Sequence, residues 1–208
     1  MKKNVVLLGK GSLAIQAASW LKKAHNLVLI VPDMPDPSWT RSLKDWANNN
    51  DVHAIGSGDY RDVPGDLKID LAISIFYGKI IKKDFIDRCG DIINLHNGPL
   101  PKYRGVRPIN WALKNNEGTH GVTIHRITEG IDDGPILGQI IYPIYPEVEE
   151  VEDVYLKSLK YGWLLFLDVM SKIDFALKSC SPQSENGSYY SMKQNHLLGE
   201  RNDFRRTK

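Results

Sequence analysis

The sequence predicts an α/β fold, a Rossmann-like parallel or mixed sheet flanked by helices, with a short C-terminal tail. Three observations predict it. Short apolar runs alternate with segments of helical periodicity over the first hundred residues, the pattern of a parallel sheet wrapped by helices. Residues 70–76 are apolar at nearly every position, as in a central parallel strand covered on both faces. A tight Gly9-Lys10-Gly11 turn joins the first apolar run to the first amphipathic segment.

The elements follow in order. Residues 4–8 read as a buried first strand, and Ser12 is placed to cap a helix running to His25, with Leu13, Ala17, Trp20 and Leu21 on one face. Residues 26–31 form a second strand, and residues 32–38, with three prolines, a loop. A helix over 39–49, a short strand over 52–55 and the strand over 70–76 come next. A helix over 82–88 leads into the strand Ile92-Ile93-Asn94-Leu95-His96. Residues 108–115 form a short helix anchored by Trp111. Two strands, 120–127 and 136–145, are joined by an acidic turn, and a long amphipathic helix spans 151–177. The division expected is a main domain over 1–178 and an extension over 179–208, packed on that domain or on a partner, with residues 188–191 as a local strand.

Composition narrows the function classes. Hydrophobic residues at 42% and charged residues at 25% suit a soluble globular chain. A net charge of +2 argues against broad binding to nucleic acid or membrane surfaces. Cys89 and Cys180 suggest neither a disulfide framework nor a metal knuckle. The first apolar run is too short for a signal peptide, and no stretch approaches membrane-spanning length, so the cytoplasm is expected.

The strand over 92–96 carries the most chemistry. Its alternation puts Asn94 and His96 on one face, and Asn97-Gly98-Pro99-Leu100-Pro101 then ends the strand. Ligands of open α/β sheets sit at such strand ends. An imidazole moves a proton near neutral pH, and an amide N–H holds a developing oxyanion. Lys102, Arg104 and Arg107 follow within a few residues. They suit either an anionic substrate or a solvated basic loop. The turn Glu129-Gly130-Ile131-Asp132-Asp133-Gly134-Pro135 is denser in negative charge than a hairpin needs. A carboxylate from it, brought to His96, would raise that ring's pKa and fix its tautomer.

Gly9-Lys10-Gly11-Ser12-Leu13-Ala14 fits a loose dinucleotide pattern, with Asp33 as the candidate ribose-binding acid. It fits equally a site for a substrate phosphate at a helix N-terminus, or a plain tight turn. His120 and His125 fall on opposite faces of their strand, which disfavours joint metal ligation, and no metal site is expected.

Taken together, Asn94-Leu95-His96, the run Leu100-Pro101-Lys102-Tyr103-Arg104-Gly105, Gly121-Val122-Thr123-Ile124-His125 and Gly130-Ile131-Asp132-Asp133-Gly134 resemble the folate-dependent formyltransferases. Tyr77-Gly78-Lys79-Ile80-Ile81 is similar to that family's folate-site segment. The loop after His96 departs from the pattern, with Asn97-Gly98-Pro99 where many members have a Ser followed by two leucines. The resemblance implies Asn94, His96 and Asp132 as catalytic residues, with Asp133 the less favoured acid. It implies 10-formyltetrahydrofolate as donor, held by Phe76, Tyr77, Gly78, Lys79, Ile80, Glu129, Gly130 and Ile131. Gly9, Lys10, Gly11, Ser12, Lys102, Tyr103 and Arg104 would bind the second substrate, a small-molecule amine.

Within the family, Tyr103-Arg104-Gly105, Trp111 and the tail run Tyr189-Tyr190-Ser191 with Leu198-Gly199-Glu200-Arg201 resemble the sugar N-formyltransferases. The expected acceptor is therefore an aminodeoxy nucleotide sugar. Phosphoribosylglycinamide is the alternative within the family, and a homodimer is compatible with it. From other classes, a nicotinamide-binding Rossmann-like domain and a non-catalytic binding protein stand as rivals.

Overall fold

The structure is a computed structural model that describes residues 2–184 and 186–199. Its frame is a six-stranded sheet in the order β2-β1-β3-β4-β6-β7. β1 (Asn4–Gly9), β2 (Asn26–Pro32), β3 (Leu71–Ile75) and β4 (Ile92–His96) are parallel. β6 (Thr119–Arg126) runs antiparallel to β4, and β7 (Ile136–Pro143) antiparallel to β6. The mixed α/β sheet agrees with the sequence expectation.

Every residue of β1 from Val5 to Gly9 is buried, and alternation sends its side chains into two separate cores. Val5 and Leu7 join Leu13, Leu21, Ile73, Leu95, Phe166 and Val169 on the face covered by α1 (Gly11–Ala24) and α5 (Val151–Ser171). Val6 and Leu8 join Leu29, Val31, Tyr60, Phe85 and Ile92 on the other face. Burial on both sides is why these strands read as unbroken apolar runs.

Several helical expectations are corrected. The first helix begins at Gly11, so Ser12 lies in its first turn and Lys10 stands at the cap position with no side-chain cap. The expected 39–49 helix contracts to α2 (Leu43–Asn48) because Ser42 Oγ accepts from Asp45 N and starts the helix there. The 82–88 segment gives only α3 (Lys83–Ile86), and Arg88 reaches the Pro64 carbonyl at 2.6 Å. Residues 52–55 contribute a single bridge, Ile30 to Ala54, in place of a strand. The long C-terminal helix breaks at Lys172 (φ −133°, ψ 34°) into α5 and α6 (Ile173–Ser179). The break lets Ile173, Ala176 and Leu177 stay buried against the core.

The remaining pieces build one end of the sheet. α4 (Pro108–Lys114) buries Trp111. A two-residue strand, β5 (Arg104–Gly105), pairs in parallel with β8 (Tyr189–Tyr190) from the tail. Tyr190 stacks on Trp111 with ring centroids 4.3 Å apart, and on Tyr103 at 5.6 Å. Of the tail motif Leu198-Gly199-Glu200-Arg201, the last two residues lie outside the described residues, as does the rest of the extension to 208. Among the described residues, no helix is long and apolar enough to cross a membrane.

The β1–α1 turn is set by a close approach. A Cβ on Gly9 would lie 2.1 Å from the Ile75 carbonyl oxygen, and its φ of +151° suits glycine. Gly9→Ala is therefore expected to lower stability by more than about 2 kcal/mol. An unchanged urea midpoint would show that the strand ends can separate without cost.

Candidate active site

Asn94 and His96 leave the end of β4 on the same side, and the turn between β6 and β7 brings Asp132 to both. The Asp132 carboxylate sits 3.3 Å from His96 Nδ1 and 3.4 Å from Asn94 Nδ2. It also accepts from Gly105 N at 2.9 Å. Asp133, by contrast, folds back to Thr128 Oγ1 and over Gly130, where a Cβ would lie 1.9 Å from its carboxylate. Of the two neighbouring acids, the fold turns only Asp132 toward the imidazole.

A second imidazole joins them. β4 and β6 pair Asn94 with His125, and on the other side of β6 a bulge against β7 falls between Ile124 and His125. His125 Nε2 lies 3.4 Å from Asp132 Oδ1 and 3.2 Å from Asn94 Nδ2. Sequence reasoning noted His125 as a poor metal partner for His120 and as part of a family-like run, and gave it no catalytic role. The missing signal was the strand pairing, because Asn94 and His125 are 31 residues apart.

The hydrogen-bond partners fix both ring tautomers. His96 Nε2 faces the Tyr103 carbonyl at 2.8 Å, and His125 Nδ1 faces the Arg126 carbonyl at 2.7 Å. A carbonyl only accepts, so each of those nitrogens carries its hydrogen. In the neutral rings the other two nitrogens, His96 Nδ1 and His125 Nε2, then turn lone pairs toward the carboxylate. Two lone pairs and an anion around one point make a proton-accepting cluster, with the Asn94 amide as donor beside it.

When either ring takes up a proton, the same nitrogen becomes a donor to Asp132, and this charged form is the one the carboxylate attracts. Burial alone would raise the Asp132 carboxyl, but the His96 and His125 rings and the Gly105 N–H outweigh it and hold it well below the ordinary carboxylate range. Burial pushes His96 below the usual imidazole value, against the pull of Asp132. It pushes His120, bound to the Asn97 carbonyl, down to about 4. Asp132 has φ +51°, in the left-handed region. Such strain in a non-glycine residue persists only where surrounding contacts determine it.

Asn94, His125 and Asp132 open on a cleft of about 440 Å³. Its walls are largely apolar, with Ile80, Ile81, Val106, Ile127 and Ile131 set against the backbone of Gly78 and Gly130. Tyr77 and Lys79 line it while anchored to the Gly58 carbonyl at 2.8 and 3.0 Å. Phe76 is not part of this wall. Its φ of +58° turns the chain at the end of β3, and its ring packs toward Tyr155 on the opposite face. Glu129 stays exposed, 3.6 Å from Lys83.

A second cleft, lined by Ser12, Trp39, Asn97, Arg107 and Tyr155 among others, opens beside the first. The segment from β4 to α4 runs between them. Gly105 and Val106 face the first cleft and Asn97, Arg107 and Pro108 the second.

The residues expected to bind the second substrate divide. Ser12 reaches the second cleft, whereas Lys10 is ion-paired with Asp33. Gly9 and Gly11 are buried turn residues, and Lys102 is exposed on the basic loop. Arg104 is bound to Gln183 at 2.8 Å. Tyr103 is corrected outright. Its side chain is 3% exposed and its hydroxyl donates to Glu117 at 2.6 Å, so it supports the site through its backbone carbonyl.

A family model for formyl transferases matches residues 9–169. The chain belongs to the formyltransferase family. Among curated relatives, the bifunctional polymyxin resistance protein ArnA of Wigglesworthia glossinidia brevipalpis is 42% identical over 109 residues, covering 51% of this chain and 16% of that protein. Methionyl-tRNA formyltransferase of Fervidobacterium nodosum is 36% identical over 124 residues, covering 60% of this chain and 38% of that protein. This chain thus spans less than half the length of either. A crystal structure of an N-formyltransferase from Helicobacter canadensis, in complex with folinic acid and dTDP-3-aminofucose, superposes with TM-score 0.84 at 29% identity. The match covers 97% of this chain and 75% of that one. WlaRD, a sugar 3N-formyl transferase solved with dTDP and 5-N-formyl-THF, gives TM-score 0.80 at 27% identity, over 97% of this chain and 74% of that one.

The site predicts a pH signature. His96, His120 and Asp132 all have folded values below their unfolded ones, so the unfolded chain takes up protons first as pH falls. Their stabilisation is complete above about pH 6.5. It declines through the histidine window first, then through the Asp132 window below about pH 4. Urea midpoints should hold between pH 7.5 and about pH 6.5 and fall from there to pH 4. A midpoint that rises on acidification would contradict the assigned charge states.

Proposed function

We propose that this protein transfers the formyl group of 10-formyltetrahydrofolate to the primary amine of a nucleotide-linked amino sugar. The observation that carries the reading is the convergence of Asn94, His125 and Asp132 at the mouth of an apolar cleft, with His96 directly behind the carboxylate.

The apolar walls of the first cleft suit the flat pterin ring of the donor, whose formyl group supplies the electrophilic carbon. Ile80, Ile81, Val106, Ile127 and Ile131 would cover its faces, while the backbone of residues 78 and 130 offers polar edges. Asn94 would donate its amide N–H to the oxyanion that forms when the amine attacks, an effect of roughly 3 kcal/mol for a well-placed donor. The cluster of Asp132, His96 and His125 would take the proton released by the attacking nitrogen and return it to the departing one. One C–N bond forms, one breaks and the proton is conserved, so the reaction needs no metal and no covalent enzyme intermediate.

The second cleft supports the acceptor assignment. Trp39 is 64% exposed and lies edge-on to Tyr155, a surface on which a nucleobase could stack. Arg107 on the same cleft could meet a diphosphate. Two neighbouring solved structures carry dTDP or a dTDP-linked amino sugar in their descriptions, which favours the same class. A nicotinamide site at Gly9–Ala14 is less well supported, because Lys10 already occupies Asp33 and Thr40 packs 3.0 Å from the Cβ position of Gly11.

The deciding assay follows tetrahydrofolate release with 10-formyltetrahydrofolate and three acceptors, dTDP-3-aminofucose, glycinamide ribonucleotide and initiator methionyl-tRNA. Turnover with the nucleotide sugar is expected, and turnover with another acceptor alone would replace this reading. Asn94→Ala is expected to lower kcat by about 10²–10³, and His96→Ala or His125→Ala by about 10²–10⁴. Asp132→Asn should cost far more than Asp133→Asn. Equal losses for the two acids would remove the carboxylate's assigned role.

A further inference from the structure

The tail does more than pack on the domain. After α6, Ser181 bridges to Ile136 at the start of β7, and β8 then pairs with β5. Between these two attachments lies Gln183, whose side chain uses its full hydrogen-bonding capacity. Its Oε1 accepts from Arg104 Nε at 3.0 Å and from Arg104 Nη2 at 2.8 Å. Its Nε2 donates to the carbonyls of Asp132 and Gly134, each at 2.8 Å.

These contacts tie together the two segments that hold the reactive carboxylate. Arg104 belongs to β5, whose next residue, Gly105, donates its N–H to Asp132 Oδ2. Asp132 and Gly134 belong to the loop that presents the carboxylate. Further along the same tail, Tyr189, Ser191, Met192 and Lys193 form one side of the first cleft. A single amide thus joins β5, the acidic loop and the tail. Asp132 needs such a tie, since its φ of +51° is not one an aspartate adopts freely.

We propose that Gln183 is a positioning residue that locks the Asp132 loop against β5, so that the tail completes the active site through Gln183, Tyr189, Ser191, Met192 and Lys193. It touches no reacting atom and acts through the orientation of Asp132. Losing it would let the carboxylate swing away from His96 and His125, and displacements of about 1 Å at a reacting centre can cost roughly a hundredfold in rate. The proposal rests on the formyl-transfer reading for its kinetic arm only.

The test uses the full chain with two variants. Gln183→Leu keeps the approximate volume and removes all four hydrogen bonds. Gln183→Glu keeps the acceptor for Arg104 and removes both donations to the loop, and it is the variant read should Gln183→Leu fail to fold. With 10-formyltetrahydrofolate and dTDP-3-aminofucose, each is expected to lower kcat by about tenfold to a hundredfold, with KM for the donor changed less than about twofold. Unchanged kcat, or a loss that matches the unfolded fraction by circular dichroism, overturns the proposal.

A second readout needs no acceptor. The His96 ring faces Asp132, with His125 as the other titratable group acting on it and the Tyr103 carbonyl on its far nitrogen. Releasing the carboxylate should move the His96 titration, followed by ring ¹⁵N NMR, to lower pH in Gln183→Leu. In Gln183→Glu the new charge could offset that shift, so there the ring coupling between His96 and Asp132 is read from the loss of the Nδ1 chemical-shift signature of the carboxylate contact. Unaltered His96 signals in the folded variants overturn the proposal. Absence of turnover by the wild type with any acceptor overturns the formyl-transfer reading, while the NMR arm still decides the role of Gln183.

Discussion

A buried carboxylate is the constraint on which this structure turns. Asp132 is only 15% exposed at its side chain, and an ion taken out of water costs several kcal/mol unless partners replace its hydration. Four partners come from three strands. His96 and Asn94 extend from β4, His125 from β6 and the Gly105 N–H from β5. Of these only His125 is near Asp132 in sequence. The strand order, the β4–β6 register and the β5–β8 pairing must all be right before the charge is tolerated.

The same arrangement accounts for three of the strained residues. Phe76, Tyr103 and Asp132 all have positive φ, and each lies where a strand or loop turns toward the site. Such conformations cost about 1–3 kcal/mol apiece. The two cores behind the sheet supply a rigid base, since Leu7, Ile73 and Leu95 are packed on one face and Val6, Leu8 and Ile92 on the other. Tyr103 shows the result most clearly. Its ring is stacked on Tyr190 and its hydroxyl is bound to Glu117, so its carbonyl can hold one ring nitrogen of His96 in place.

The strands were legible in the sequence because burial on both faces leaves an unbroken apolar run, as in β1 and β3. Helix ends were less so. The 39–49 helix shortened because Ser42 offered a better start, and the 151–177 helix broke at Lys172 because a straight continuation would not have kept Leu177 in the core. In the site, Asn94 and His96 could be paired by the two-residue period of one strand. His125 could not, because the pairing that sets it beside Asn94 joins strands 31 residues apart in the chain. Gln183 carried no signal at all, since a glutamine in a polar tail has no pattern to distinguish it.

The amino-acid sequence on its own determined the alternation of strands and helices, the facing of Asn94 with His96, and the motif order that marks the family. Those properties are local, or repeat along one element, so chain order suffices to express them. The tertiary structure turned Asp132 and not Asp133 to the imidazoles, as the family resemblance implied, and it alone decided that His125 joins them and that the tail holds the acidic loop. These depend on backbone turns of positive φ and on contacts between distant segments, whose energies arise only once the sheet has closed around them.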